Sequence, residues 1–274
     1  MEKVIFNKFN SVEEFSNWLQ VTPQTAEGKE FDASNKTDED YTEFSGTKSF
    51  DEAQNLLKYG DKVNADKITA TIRKIKAQGK GNETRNKLYN SPCGFMPIVP
   101  KVLAGDPQNM LAIKKQRYNS TKVINIAYNV AVDCTRTTEE LIETAAKVAN
   151  VIASLEKNGY RVNLYAYACG RDLKYNYYSL LVKIKDSGKY LDTLRIAYAL
   201  VNPSFYRRHV FGYMERLKGF NLNRTYGKIV PEEGCKERLP INACYLSYYF
   251  CSGKTEEEIA KYIESAKSSI LRHF

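Results

Sequence analysis

In residues 123–170 a stretch with the apolar spacing of a helix lies between two nearly continuous apolar runs. This pattern predicts a strand, a helix and a second strand. In the middle of this stretch apolar residues recur at spacings of four and three, as on one face of a helix. They are Leu141, Ala145, Val148, Ile152 and Leu155. Thr137 or Thr138 can cap the start of the helix, and Asn158-Gly159 supplies a left-handed stop. The pattern therefore predicts a helix over 138–157.

The segments on either side of this helix, 123–132 and 161–168, are nearly continuous apolar runs. Runs of this kind are typical of central strands that are covered on both faces. A strand, a helix of roughly twenty residues and a second strand form a right-handed crossover unit with parallel strands. The predicted fold class is therefore α/β, with a mixed, mainly parallel sheet, helices on both faces and a helical N-terminal region.

Hydrophobic patterns predict further helices and strands in the rest of the chain. Ser11 with Glu14 and Ser49 with Glu52 are spaced as helix-capping pairs, and Gly60 ends the second of these helices. The remaining predicted elements are a helix over 64–78, a strand over 177–185, helices over 190–201 and 203–218, a strand over 243–251 and a closing helix from 255.

Composition divides the chain into three predicted parts. Residues 1–48 are predicted to form an acidic N-terminal arm, of which 21–47 is polar and without period. Residues 49–119 are predicted to form a basic helical region and then a Pro/Gly-rich loop, 90–113, that wraps the body. Residues 120–274 form the predicted α/β domain.

The composition of the 274 residues narrows the class of protein. No stretch approaches the roughly eighteen apolar residues of a membrane span, and the N-terminus lacks the apolar region of a signal peptide, so no membrane contact is predicted. The six cysteines include no CxxC pair, which favours free thiols in a reducing cytosol over disulfides or a zinc site. There is no Walker loop, no GxGxxG and only two histidines, so nothing specifies an enzyme.

The net charge of +9 is unevenly distributed. Residues 1–48 carry five Lys/Arg and ten Asp/Glu, a net of −5, whereas 58–122 carry fourteen Lys/Arg and four acidic residues, a net of +10. A basic block of this kind can bind DNA or RNA through the phosphates. It can equally be a solvated face, or pair with the acidic N-terminal arm. The predicted nucleic-acid-binding residues are Lys67, Arg73, Lys74, Lys76, Lys80, Lys114, Lys115 and Arg117.

A second candidate site follows the first strand of the crossover unit, in the sequence Asp133-Cys134-Thr135-Arg136-Thr137. Ligands of open α/β sheets bind at the carboxyl ends of strands. One carboxylate and two hydroxyls, from Asp133, Thr135 and Thr137, can converge there on a hard cation such as Mg²⁺ or Mn²⁺. The alternative is that Asp133 and Thr135 only shape and cap the turn.

The order of strand, DxTxT turn and helix resembles the metal-dependent adhesion site of von Willebrand factor A-like domains, where the motif usually reads DxSxS. The resemblance covers about residues 120–274 and rests mainly on the order of the elements. It implies a Rossmann-like domain that binds a partner through a metal ion. The later Thr and Asp ligands of that family have no assigned counterpart here, and Cys251-Ser252-Gly253 stands where an Asp often precedes the last turn.

Arg207, Arg208 and His209 interrupt an otherwise apolar predicted helix. Two interpretations are open for the arginines. They can snorkel at a helix face, with their charges paired to Glu215 or Asp192. Alternatively, they can contact an anion or a partner protein.

Several segments look like those of an uncharacterised family of tailed-bacteriophage proteins. They are FSGTKSFDEAQNLLKYGD, VLAGDPQNM, ASLEKNGYRVNLYAY and LDTLRIAYALVNPSFYRRHVFGYME, and the match spans about residues 44–220. The resemblance implies a phage gene expressed in the bacterial host cytoplasm, with the virion as an alternative location. It implies no activity.

The predicted function is that of a non-enzymatic interaction protein: an adaptor, assembly factor or virion component that contacts a phage protein, a host protein or itself. The alternative is a nucleic-acid-binding phage protein that uses residues 58–122. A metal-dependent hydrolase is a third interpretation. No cofactor is predicted apart from the Mg²⁺ or Mn²⁺ of the DxTxT turn.

Overall fold

A five-stranded sheet lies at the centre of the molecule. The computed structural model describes residues 4–28, 32–77, 88–113, 123–172, 174–223, 226, 234, 239 and 241–270. Within these ranges the strand order is β1-β7-β6-β5-β8, and a separate three-stranded sheet has the order β2-β4-β3. The strands are β1 (Val4–Phe9), β2 (Leu88–Ser91), β3 (Met96–Pro97), β4 (Met110–Ile113), β5 (Val123–Asn129), β6 (Arg161–Arg171), β7 (Tyr177–Lys185) and β8 (Cys244–Ser247).

Helices accompany the two sheets in the same ranges. They are α1 (Val12–Val21), α2 (Glu39–Ser45), α3 (Phe50–Tyr59), α4 (Lys62–Ala77), α5 (Val99–Leu103), α6 (Thr138–Lys157), α7 (Thr193–Leu200), α8 (Phe211–Glu215), α9 (Tyr248–Ser252) and α10 (Glu256–Ile270). A 3-10 turn covers Ala33–Asn35 and a π-helix covers Phe205–Val210. None of the described helices combines the length and the apolar composition that a membrane crossing needs.

The predicted crossover unit is confirmed. β5 and β6 are adjacent and parallel, and α6 connects them over the predicted range, 138–157. Thr137 is the N-cap: its hydroxyl accepts from the backbone N–H of Glu140, whose carboxylate accepts from the N–H of Thr137. The helix ends at Asn158, and Gly159 follows with a left-handed φ of 91°.

The main sheet is mixed and mostly parallel. β1 pairs in parallel with β7, and β5 pairs in parallel with both β6 and β8. The one antiparallel pair of this sheet in the described ranges is β6 with β7, and β7 has the predicted bounds, 177–185. The α/β class with a mixed, mainly parallel sheet is therefore confirmed.

The two faces of this sheet are covered differently. Side chains alternate along β6, so Leu164 points to one face and Tyr165 and Tyr167 point to the other. Every helical residue of the two buried clusters in the described ranges lies on the Leu164 face. On the tyrosine face the described cover consists of Leu239, Ile241 and Ala243, none of which is helical. Among the residues of the two buried clusters, helices therefore cover one face, and helices on the other face stay a prediction.

The acidic N-terminal region is built into the main body. β1 is an edge strand of the main sheet, and Phe15 and Leu19 of α1 are fully buried in the core on its helical face. Ser11 caps α1 as predicted. Residues 32–47, part of the stretch 21–47 that lacks a period and is predicted as loop, contain the 3-10 turn and α2, which Asp38 caps. The division of the chain at 48 and 119 stays a prediction.

The last strand is shorter than predicted. β8 ends at Ser247, and Tyr248–Ser252 is helical, not extended. The hydroxyl of Ser247 accepts from the backbone N–H of Phe250 at 3.2 Å and so caps a helix at this point. The closing helix α10 follows Thr255, which forms a capping box with Glu258.

The predicted wrapping loop, 90–113, forms the small antiparallel sheet instead. β4 is its central strand and pairs with β2 on one side and β3 on the other. The short helix α5 follows β3, and Pro100 stands in its first turn, where its missing N–H costs nothing. We call residues 88–113 the β-module.

Candidate functional site

A cleft of about 180 Å³ lies at the carboxyl end of β5, where the sequence predicts a metal site. One wall is the turn between β5 and α6, and the other is the end of α7 with the start of the π-helix. Its charged lining residues are Glu43, Asp133, Arg136 and Arg207. The cleft therefore brings together two predicted candidates, the DxTxT turn and Arg207.

Asp133 and the threonines hold the turn in shape. The Asp133 carboxylate accepts from the backbone N–H of Thr135 at 2.8 Å, and this hydrogen bond keeps the pKa of Asp133 below its ordinary value. The hydroxyl of Thr137 accepts from the N–H of Glu140 at 3.3 Å as the cap of α6. These contacts support the turn interpretation, and the metal site at Asp133, Thr135 and Thr137 stays a prediction.

The neighbouring strand ends are organised in the same way. Asn129, the last residue of β5, accepts from the backbone N–H of Ala131 at 2.9 Å. Ser247, which pairs with Asn129 across the sheet, caps α9. In the described ranges no three His, Cys, Asp or Glu side chains are grouped so as to hold a metal ion. The polar side chains at this edge of the sheet are thus engaged with backbone groups close to them in the chain.

Replacing Asp133 by alanine is expected to lower the melting temperature only slightly, because it removes one acceptor from an exposed turn. Neither millimolar Mg²⁺ nor EDTA is expected to change the melting temperature of the unmodified protein in calorimetry. Asp133→Asn is the matched control, since its amide oxygen can keep the bond to Thr135. A rise in melting temperature with Mg²⁺ or Mn²⁺ that Asp133→Ala abolishes would establish the metal site instead.

Arg208 is fully buried and does not snorkel at a helix face. Its guanidinium donates to the backbone oxygens of Ser34 at 2.9 Å, of Thr47 at 2.7 Å and of Lys36. Its Nε also donates to the hydroxyl of Thr47 at 3.3 Å. The described partners are therefore backbone and hydroxyl oxygens, not the carboxylates that the snorkelling interpretation predicts. Arg208 joins the π-helix to the segment around α2.

Arg207 lines the cleft. Its guanidinium lies 4.0 Å from the ring centroid of Phe44 and donates to the backbone oxygen of the same residue. Burial lowers the pKa of Arg207 from its ordinary value, because desolvation disfavours the charged form, and the nearby Asp133 opposes that effect. The predicted anion or partner contact stays open at Arg207.

Two titratable groups close to the π-helix are buried. His209 is fully buried, its Nδ1 lies 2.9 Å from the Tyr198 hydroxyl, and burial lowers its pKa to about 3. It is therefore neutral near pH 7. Glu215 accepts from the backbone N–H of Ser34 at 3.0 Å and from the Tyr226 hydroxyl at 2.9 Å, and burial raises its pKa. Both groups are used in internal contacts.

The predicted basic surface lies only partly within the described ranges. Lys67, Arg73 and Lys74 are exposed on α4, and none of them belongs to an ion pair there. Ile68 is buried, as the apolar stripe of this helix predicts. Lys76 belongs to α4, but the structure does not describe its side chain. Four further residues of the predicted surface lie outside the described residues: Lys80, Lys114, Lys115 and Arg117.

The β-module exposes seven large apolar side chains. They are Leu88, Tyr89, Phe95, Met96, Val99, Val102 and Leu103. The exposed fraction is 60% for Phe95 and 83% for Leu103, and no residue of α5 is buried. So many large apolar side chains left exposed within 26 residues are typical of an interaction site.

A hydrogen-bonded backbone presents these side chains. Besides the strand pairing, the N–H of Phe95 donates to the oxygen of Leu111 at 2.9 Å, and the N–H of Ile98 donates to the oxygen of Asn109 at 2.7 Å. Gly94 permits the first contact, since a Cβ at this position would lie 2.1 Å from the Leu111 oxygen. The exposed apolar surface is therefore built on defined backbone geometry.

Sequence reasoning misses this surface, because it places the apolar residues of 90–113 against the body. The available signal is the charge pattern. Within 88–113 the charged residues are Lys101 and Asp106, and the segments 78–87 and 114–122 on either side are basic. A stretch that is rich in apolar residues and poor in charged ones is typical of the centre of an interface, where charged residues are depleted.

Comparison with known proteins provides a family and no activity. A family model described as "Domain of unknown function (DUF7192)" matches residues 1–270. No curated protein and no solved structure matches the chain. The matched range includes every strand and helix described above.

Proposed function

The chain belongs to the DUF7192 family, and we propose that it is a non-enzymatic interaction protein that binds another protein through the β-module. The observation that carries this function is the exposed apolar surface of the β-module. In this role the protein is an adaptor, an assembly factor or a virion component of a tailed bacteriophage. The phage origin, and action in the host cytoplasm or the virion, rest on the sequence resemblance.

The chemistry of the β-module suits a protein interface. Association removes apolar surface from water, which favours binding. Aromatic residues and methionine, here Tyr89, Phe95 and Met96, are enriched at the centres of such contacts. The two charged residues of the β-module, Lys101 and Asp106, pair with each other at 3.2 Å. The partner that fits has an apolar patch, because the charges of the β-module pair with each other and its exposed side chains are largely apolar.

The candidate polar groups of the cleft and the π-helix support a role without catalysis. Asp133 and Thr137 hold the turn and cap that follow β5. Arg208 binds the backbone around α2, and His209 is buried and neutral. The described contacts of these groups are structural, whereas the apolar side chains of the β-module remain exposed.

A photoreactive phenylalanine analogue in place of Phe95 is expected to form covalent adducts with protein when bacterial cells that express the full chain are irradiated. The reason is that Phe95, 60% exposed, lies in the proposed contact. The same analogue in place of Tyr190, which is 97% exposed and outside the β-module, is the matched control. Denaturing gels and mass spectrometry measure the adducts.

Equal adduct yields from positions 95 and 190, or none from position 95, would contradict the proposed contact. Adducts from position 95 that keep their mass after nuclease treatment support it. A Leu103→Asp change in the same chain should reduce them, because Leu103 belongs to the same exposed surface.

Nucleic-acid binding is a second candidate function, favoured by the exposed Lys67, Arg73 and Lys74 on α4. Contacts from such side chains to phosphates give an affinity that falls steeply as salt rises. If the adducts from position 95 lose mass on nuclease treatment, this candidate is supported in place of the protein contact.

A further inference from the structure

Residues 32–48, which we call the lid, contribute little to the apolar core. Within these described residues the buried side chains are all small, and Ala33 is the one of them that belongs to a core cluster. Tyr41 packs against the same cluster but is only partly buried. The other buried lid residues are Ser34, Ser45 and Thr47. A segment with so little buried apolar surface can open while the rest of a protein stays folded.

Polar contacts with the π-helix and its first residues hold the lid closed. Besides the bonds of Arg208, the hydroxyl of Ser204 donates to the oxygen of Ser45 at 2.6 Å. The hydroxyl of Tyr41 donates to the oxygen of Arg207 at 3.0 Å. Water replaces all these partners when the lid opens, so each bond stabilises the closed form only modestly. Opening differs in this respect from a substitution, which leaves buried oxygens without a donor.

The closed lid occupies Arg207 of the cleft. In the described ranges, the guanidinium stacks 4.0 Å from the ring centroid of Phe44 and donates to the oxygen of the same residue, so both contacts are with the lid. The lid also contributes Glu43 to the cleft. Two cations, Arg136 and Arg207, and two carboxylates, Glu43 and Asp133, therefore line the closed cleft, and their charges cancel.

We infer that the lid is an autoinhibitory contact, which closes a site in the cleft for a small organic anion and frees Arg207 for that anion when it opens. The cleft lies at the carboxyl end of β5, where ligands of open α/β sheets bind. An arginine can bind a carboxylate or a phosphate through two parallel N–H groups. The volume of about 180 Å³ is comparable with the roughly 150 Å³ cavity that holds a benzene ring.

Charge couples the anion to the open lid. Opening withdraws Glu43 and releases Arg207 from Phe44, so two cations are left with one carboxylate, Asp133. The anion therefore binds the open form more tightly than the closed form, and its binding raises the open population. The lid in turn excludes the anion as long as it stays closed.

Hydrogen exchange of the full chain, measured by mass spectrometry, tests both parts of the inference. Without ligand, the backbone N–H groups of α2 are expected to exchange faster than those in the middle of α6, because the lid opens without global unfolding. Inorganic phosphate at about ten times its Kd for the open form should speed lid exchange about tenfold relative to sodium chloride of equal ionic strength. Acetate is the second probe, and the stronger of the two identifies the group that the site prefers.

Three single variants separate the lid from the anion. Phe44→Ala removes the stacking without a change in charge, so it should speed lid exchange and keep the response to phosphate. Arg207→Gln should also speed lid exchange but abolish that response. Arg73→Gln makes the same change in net charge on the exposed side of α4 and should match the unmodified protein in both measurements. Melting temperatures check that each variant folds.

Lid N–H groups that exchange as slowly as those of α6 would overturn the inference, since the lid would then open only with global unfolding. Phosphate and acetate that change lid exchange no more than chloride does, or that slow it, would overturn the anion site. A full response to phosphate in Arg207→Gln would do the same.

Discussion

Replacing Arg208 by methionine is expected to lower the free energy of unfolding by about 3–5 kcal/mol, because several buried oxygens lose their donor at about 1–3 kcal/mol each. Arg208 is 0% exposed and donates to the backbone oxygens of Ser34, Lys36 and Thr47. Methionine has a similar length but no N–H group, so these buried oxygens lose their donor. Urea-induced unfolding followed by circular dichroism measures the loss.

The Arg208 variant should also free residues 32–48 before the rest of the molecule unfolds, which limited proteolysis can detect. Arg207→Met is the matched control. The neighbouring arginine is only partly buried and, in the described ranges, donates to one backbone oxygen, that of Phe44. Equal losses of stability from the two variants would contradict the structural role assigned to Arg208.

Val148→Asp is the second change with a large expected effect. Val148 is 1% exposed and belongs to the core cluster on the helical side of the main sheet. A carboxylate there is buried without a partner, and about 3–5 kcal/mol of stability should be lost. Thermal or urea unfolding measures the change.

Val148→Ala separates the charge from the loss of packing, because it removes two methyl groups and adds no polar atom. It should therefore cost clearly less than the aspartate. If both variants lose the same amount, the aspartate has found water or a partner, and Val148 is not at the centre of the core.

The crossover unit could be predicted from the sequence because local signals of different kinds agree there. A continuous apolar stripe, a capping pair at Thr137 and Glu140, and a stop at Asn158-Gly159 all mark the same helix, 138–157. β7 was equally recognisable, since 177–185 is apolar and bounded by polar turns. The end of β8 was ambiguous in the sequence, because a single residue, Ser247, marks the change from strand to helix by capping α9.

What covers each face of the main sheet could not be read from the pattern. An apolar run on both faces shows that both faces are buried, but not whether helices bury them. In β6 the second face carries Tyr165 and Tyr167, whose described cover includes Leu239 and Ile241. Tyrosine suits such a face, because its ring is apolar and its hydroxyl can reach a polar partner.

The candidate sites were the least predictable, for a related reason. The role of Arg208 depends on Ser34 and Thr47, which are far from it in the chain, and no local signal reports such a contact. The β-module was missed because the sequence of an apolar segment is the same whether its side chains are buried against the body or exposed to solvent. Only the DxTxT turn could be placed from the sequence, and it lies at a strand end as predicted.

The pairing of β1 with β7 sets the order in which the molecule can fold during synthesis. Val4 pairs with Tyr177 and Phe9 with Val182, so the first strand has no place in the sheet until most of the chain has left the ribosome. Pairing at such separation is slow, because a long loop must close first. The segment around α2 waits longer still, since it needs Arg208. The nascent chain therefore carries an acidic, unassembled N-terminus until the π-helix emerges.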